Sequence, residues 1–259
     1  MFLEELKDHT KLSLSFSGCG FLCVYHAGVC AAIREFAPHL LKVPILGASA
    51  GAILGACITS DVCLSKAISV VLDVVAKARS FTFGALNRDF DLMKIVRQNL
   101  DAALPKDAHK LCSGRLHISI TRFSDFSNRL VTDFQSREDL IDAIVCSCFI
   151  PVYGGFDYPK YQGEKYVDGG ISVNQPVLDS NTITISPFAG ENDICPSDTD
   201  SANLLGLVFS GTSIRFTMSN LMRLLVCLFP PPADACSKIC QQGFEDALRY
   251  LFINGTEYD

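Results

Sequence analysis

Val43-Pro44-Ile45-Leu46-Gly47-Ala48-Ser49-Ala50-Gly51, running on into Ala52-Ile53-Leu54-Gly55-Ala56-Cys57-Ile58-Thr59, is the stretch that decides the fold. Residues 43–46 form an apolar run of strand length, and residues 52–59 are small and helical. Between them, Gly47-x-Ser49-x-Gly51 sets a glycine two residues either side of a serine. Glycines there remove the Cβ atoms that would block a tight turn, and the N-terminus of the following helix favours negative charge at the serine. This is the context of a nucleophile elbow. The pattern alone is weak, so its strand–turn–helix setting carries the inference.

Upstream, residues 12–16 read Leu-Ser-Leu-Ser-Phe, a strict alternation that predicts a strand with one apolar face. Gly18 and Gly20 follow, then residues 21–36 suit a helix packed on a sheet and stopped by Pro38. The chain therefore opens strand, glycine turn, helix, strand, glycine turn, helix. A βαβα start favours a parallel sheet and an α/β fold. Downstream, helices are predicted over 64–78, 89–104, 137–148, 219–229 and 233–254. Ser136-Arg137-Glu138-Asp139 fits a capping box at the third, Pro230-Pro231-Pro232 separates the last two, and Gly255 marks the end. Strands are predicted over 115–122, 130–134, 166–167 and 181–188, with a polar loop at 190–201. No repeat or linker divides the chain, so a single domain over 1–259 is expected.

Composition narrows the function classes. At 259 residues, with 49% hydrophobic and 19% charged side chains, the chain is globular and large enough for a core without metals or disulfides. A net charge of −6 and no basic stripe argue against nucleic acid and against a polybasic membrane anchor. The opening MFLEELKDHTK is not a secretory signal. The twelve cysteines contain no C-x-x-C, so neither a zinc nor a redox motif is present, and reduced thiols in an intracellular protein are expected. No stretch reaches the roughly 18 apolar residues of a membrane span. A mean hydropathy of +0.27 nonetheless leaves an apolar surplus that could face lipid.

Two further motifs bear on chemistry. Backbone amides around Gly18-Cys19-Gly20 can cradle an anion, the oxyanion of an acyl transfer or a phosphate. A dinucleotide fingerprint would need a glycine at position 23, where Cys23 stands, and no acidic residue ends a second strand at the right distance. Asp168-Gly169-Gly170 follows a short strand. None of His9, His26, His39, His109 and His117 sits where a serine hydrolase places its base. An aspartate acting directly on serine is the economical alternative. With an ordinary pKa of about 3.9 it is a weak base. Oxyanion stabilisation of about 3–4 kcal/mol per donor would have to compensate. The plainer reading of Asp168 is a turn aspartate.

Ser17-Gly18-Cys19-Gly20-Phe21-Leu22, Gly47-Ala48-Ser49-Ala50-Gly51 and Val167-Asp168-Gly169-Gly170-Ile171-Ser172-x-Asn174-x-Pro176 together resemble a patatin-like phospholipase domain, closest to the adipose triglyceride lipase subgroup. Gly114-Arg115-Leu116-His117-Ile118-Ser119, Phe149-Ile150-Pro151-Val152-Tyr153 and Leu228-Phe229-Pro230-Pro231 extend the likeness over residues 11–255. The resemblance implies a three-layer α/β/α sandwich with a mostly parallel central sheet. It implies Ser49 as nucleophile, Asp168 as base, amides around Gly18, Cys19 and Gly20 as oxyanion hole, and Gly47, Gly51, Gly169 and Gly170 as the shaping glycines. Neither metal nor cofactor is implied. The implied reaction is hydrolysis of triacylglycerol at lipid droplets or endoplasmic reticulum membrane, with an α/β-hydrolase-like co-activator as a possible partner. Transacylation, phospholipase A2 or retinyl-ester activity on the same site, and a droplet-binding protein with little catalysis, are the alternatives. Cys23 departs from the family's third glycine and would crowd the helix start. Phe81-Thr82-Phe83 and residues 221–229 are the apolar segments that could meet a lipid interface, with core burial the simpler account.

Overall fold

The computed structural model describes residues 7, 11–80, 91–151, 153–155, 157–198 and 206–254. In chain order it places β1 (Ser13–Phe16), α1 (Cys23–Phe36), β2 (Ile45–Ala48), α2 (Ala50–Thr59), α3 (Leu64–Ser80), α4 (Leu92–Ala103), α5 (Ala108–Cys112), β3 (Leu116–Arg122), β4 (Asn128–Val131), α6 (Arg137–Cys148), β5 (Lys160–Tyr161), β6 (Glu164–Asp168), β7 (Thr182–Ile185), β8 (Gly206–Phe209), β9 (Thr212–Arg215), α7 (Met218–Leu228) and α8 (Ala233–Ile253). The class is the α/β/α sandwich expected. β1, β2, β3 and β7 form the parallel centre, while β4 and β6 run antiparallel to β3 and β5 antiparallel to β6.

Alternation along the strands sorts the two sheet faces. Leu14, Ile45 and Leu116 align in one row and Phe16, Gly47 and Ile118 in the next, and their apolar side chains pack with Val29 and Ile33 of α1, Ala52 of α2 and Ile141 and Ile144 of α6. The intervening positions, Ser13, Ser15, Ser119 and Thr121, are equally buried but polar. Ser13 Oγ donates to Thr182 Oγ1 at 2.9 Å and Ser119 Oγ to the Val173 carbonyl at 2.8 Å, which offsets their desolvation.

The topology of β3 positions the site. Alternate residues of a strand bond to opposite edges. On one edge of β3, Ile45 N–H donates to Arg115 O and Phe123 N–H to Lys165 O, while Arg122 N–H donates to Ser127 O on the other. So β4 lines one edge, and β2 and β6 share the opposite one end to end. Because β2 is parallel to β3 and β6 antiparallel, they run toward each other. Their last residues, Ala48 and Asp168, stop opposite Ser119 and Ile120.

The structure shifts some sequence expectations. The strand predicted at 130–134 lies at Asn128–Val131. His109 lies on α5, a short helix that the sequence pattern did not predict. The β8–β9 hairpin was not predicted; it turns through Ser210 (φ 46°) and Gly211 (φ 84°), a two-residue turn whose Ser-Gly signal suits type I′. Phe81-Thr82-Phe83, Gly255 and the expected start of the helix at 89 lie outside the described residues.

Candidate active site

Ser49 stands between β2 and α2 with φ 53° and ψ −123°. A left-handed φ at a non-glycine residue is strained by about 1–3 kcal/mol and needs surrounding structure to hold it. The glycines of the motif supply room. A Cβ on Gly51 would lie 2.2 Å from the Phe16 carbonyl oxygen, and one on Gly47 would lie 2.5 Å from the Gly51 backbone. Ser49 is the N-cap of α2, yet its side chain makes no capping bond, and it lines a cavity.

Asp168, 4% exposed, ends β6 and lines the same cavity. Its Oδ1 accepts the Gly170 N–H at 2.7 Å, its own N–H donates to Phe149 O at 2.8 Å, and its carbonyl accepts from Thr121 Oγ1 at 2.7 Å. Oδ2 is buried without a hydrogen-bond partner. Burial pushes the carboxyl up to about 6, against the Ser49 hydroxyl and the Gly170 amide, which both hold it down. The Ser49 contact falls short of a formed hydrogen bond. Gly169 is needed for close approach, since a Cβ there would lie 2.0 Å from Ser119 O.

The early glycine turn is beside Ser49: a Cβ on Gly18 would sit 3.2 Å from Ser49 Cβ. Gly18 N–H is committed to Asn174 O at 3.2 Å, and Asn174 Nδ2 donates back to Gly18 O at 3.2 Å and to Thr212 Oγ1 at 3.0 Å. This leaves the Cys19 and Gly20 amides as the candidate oxyanion donors. Gly20 has φ +51° and packs against the Cys227 carbonyl, so no side chain fits there. Cys23 opens α1 with ordinary helical backbone, φ −57° and ψ −18°, so the helix accepts its side chain, which faces the cavity.

The cavity holds about 390 Å³, within the usual range for small-ligand sites. Beyond the site residues its walls are mostly apolar, with Leu54 of α2, Leu92, Val96 and Leu100 of α4 and Leu224 and Leu228 of α7, and Asn99 and Tyr153 the polar exceptions. Five thiols, Cys19, Cys23, Cys57, Cys148 and Cys227, also face it. Burial pushes all five up, Cys23, Cys57 and Cys227 to about 12, so they stay neutral and do not compete as nucleophiles. All twelve cysteines are free. Of the described histidines none lines the cavity; His26 is buried on α1 beside Ser17 O, and burial holds it down at about 4.

Sequence reasoning overlooked two residues. Asn174 belongs to the Asp168 motif, and its spacing from Asp168 is the sequence signal that marks it. Ser147 carried no signal, because its contacts cross from α6 to two strands distant in sequence.

Fold and site together define an α/β protein with a strand-tip serine and a buried carboxylate in one apolar cavity. The profile described as Patatin-like phospholipase matches residues 14–180. Patatin-like phospholipase domain-containing protein 2 of Homo sapiens is 48% identical over 246 residues, 94% of this chain and 49% of its own length. The 1-acylglycerol-3-phosphate O-acyltransferase Pnpla3 of Mus musculus is 44% identical over 248 residues, 95% of this chain and 60% of its own. The crystal structure of VipD from Legionella pneumophila shares the fold, with a TM-score of 0.57 over 96% of this chain and 68% of that one at 14% identity. The chain thus spans about half the length of its curated relatives. It belongs to the patatin-like phospholipase family.

Proposed function

We propose that the protein is a serine acyl hydrolase that cleaves long-chain esters of neutral glycerolipids, triacylglycerol above all. Ser49 Oγ attacks the ester carbonyl while its proton passes to Asp168. The oxyanion takes hydrogen bonds from the Cys19 and Gly20 amides, and collapse releases the glyceride alcohol with the proton from Asp168. Water, deprotonated by the same carboxylate, then frees the fatty acid and regenerates Ser49. The observation that carries this reading is the convergence of Ser49 and Asp168, from the facing ends of β2 and β6, in one apolar cavity. A carboxyl raised to about 6 is also a better base near neutral pH than an ordinary aspartate. Ser49→Ala or Asp168→Asn is expected to abolish release of fatty acid from long-chain triacylglycerol. Full turnover in either variant would refute the reading.

Transacylation is the second reading, favoured by the acyltransferase named among the relatives. It differs only in the acceptor, an alcohol in place of water. Product analysis with mono- or diacylglycerol supplied separates the two.

The same reading has the protein working at a lipid surface, a droplet or endoplasmic reticulum membrane, where a co-activator of α/β-hydrolase type could act. Residues 221–229, for which core burial was the simpler expectation, are instead largely exposed. Met222 is 56%, Leu225 47% and Phe229 46% exposed, beside Val208 at 71% and Phe209 at 56% on the hairpin. Polar bonds anchor α7: Asn220 bonds both the N–H and the C=O of Ala189, and Arg223 pairs with Asp198 at 2.8 Å. Its apolar side chains are left outward at the rim, where Phe209, Leu224 and Leu228 also line the cavity. Met222→Asp with Leu225→Asp should reduce flotation with triolein droplets while leaving turnover of a soluble short-chain ester intact. Undiminished flotation would remove the surface role.

A further inference from the structure

The β2–β3 ladder stops one bond short at the candidate nucleophile. Ile45 N–H donates to Arg115 O, and a parallel ladder repeats every two residues. Ser49 N–H is thus the donor due to meet Ser119 O. It does not. Ser49 N–H donates to Ser147 Oγ at 2.8 Å, and Ser147 Oγ donates to Ser119 O at 2.7 Å. One hydroxyl is inserted into the ladder where the backbone departs to φ 53°.

Ser147 is fully buried near the C-terminal end of α6. A helical serine usually returns its hydroxyl to the carbonyl four residues back. Here it is spent across the helix–sheet interface instead. Two residues on, the Phe149 carbonyl accepts the Asp168 N–H at 2.8 Å, and Cys148 between them faces the cavity. One turn, residues 147–149, therefore holds the backbone of both Ser49 and Asp168.

We infer that Ser147 is a positioning residue: its hydroxyl holds the Ser49 backbone in the strained elbow conformation and sets the nucleophile's distance from the carboxylate. Without it, either Ser49 N–H and Ser119 O are left buried and unpaired, or they bond directly and draw Ser49 back toward the strand. Both outcomes misplace Oγ without touching the acyl-binding walls.

The inference rests on Ser49 being the nucleophile, and the test separates the two. The rate of Ser49 phosphonylation by a fluorophosphonate probe, and kcat and KM for a soluble short-chain ester, are measured in wild type, Ser49→Ala, Ser147→Ala, Ser147→Cys and Ile144→Val, well below each variant's Tm. Ile144→Val perturbs the buried face of the same helix without removing a hydrogen bond. Labelling of wild type that persists in Ser49→Ala refutes the nucleophile and leaves nothing for Ser147 to position. If Ser49 is labelled, Ser147→Ala is expected to slow labelling and lower kcat ten- to a hundredfold with KM unchanged, with part of the rate restored in Ser147→Cys, which keeps a weak donor and acceptor. Ile144→Val should label at the wild-type rate. Labelling of Ser147→Ala within twofold of wild type overturns the positioning role, as does a loss matched by Ile144→Val. If Ser147→Ala does not fold, Ser147→Cys decides: slowed labelling upholds the inference and an unchanged rate overturns it.

Discussion

Replacing Asp168 by Asn should remove the chemistry and change the pH dependence of stability in a calculable way. Burial lifts the carboxyl from its ordinary 3.8 to about 6 in the folded protein. At 1.36 kcal/mol per pKa unit, keeping the ionised form buried costs about 3 kcal/mol. The sign follows from which state protonates first. Above pH 6 the group is ionised folded and unfolded, and the folded state bears the whole penalty. Between pH 6 and 3.8 the folded carboxyl takes up a proton before the unfolded one does, so the penalty shrinks as pH falls, and below 3.8 it is gone. Asparagine has no charge to bury. Its carbonyl can keep the Gly170 bond, while its amide, placed where Oδ2 has no partner, costs about 1–3 kcal/mol if unpaired. That amide cost does not depend on pH and cancels when two pH values are compared. Linkage with the two pKa values gives a change of about 1.4 kcal/mol between pH 8 and pH 5. The stability of Asp168→Asn relative to wild type should fall by that amount, or about 3–6 °C in Tm at this chain length. Thermal melts of both proteins at pH 5, 6, 7 and 8 measure it. A difference in Tm that stays flat across that range would refute the claim that Asp168 is a buried, ionisable carboxylate with a raised pKa.

The same pKa of about 6 predicts that kcat/KM falls with acid, to about a tenth of its plateau at pH 5; a profile flat from pH 7 to 5 contradicts Asp168 as base. Gly51→Ala would press a Cβ against the Phe16 carbonyl at 2.2 Å, so α2 must shift off β1. About 1–3 kcal/mol of stability and most activity should be lost, seen together in a urea melt and an esterase assay. Val96→Trp fills the cavity on its α4 wall and should depress turnover of long-chain esters far more than of acetyl or butyryl esters. Equal losses on both would place the acyl chain elsewhere.

Locally encoded features were legible in the chain. The alternation of residues 12–16, the two glycine turns, and the Ser136 cap, which accepts Asp139 N–H at 3.1 Å, involve neighbours in sequence, and each forms where it was expected. The apolar pattern of residues 221–229 marked a helix correctly but not its surroundings. A helix packed on a core and one facing outward share the same periodicity, and only the Asn220 and Arg223 anchors show which way α7 is held.

From the sequence alone came the α/β class, the tight serine turn and the candidate carboxylate, because glycine placement and hydrophobic period act over a few residues. Only the tertiary structure decided that β2 and β6 meet head to head on one edge of β3, that Ser147 replaces the missing ladder bond, and that burial raises the Asp168 carboxyl. These depend on strand order and desolvation, which are set by residues that lie far apart along the chain.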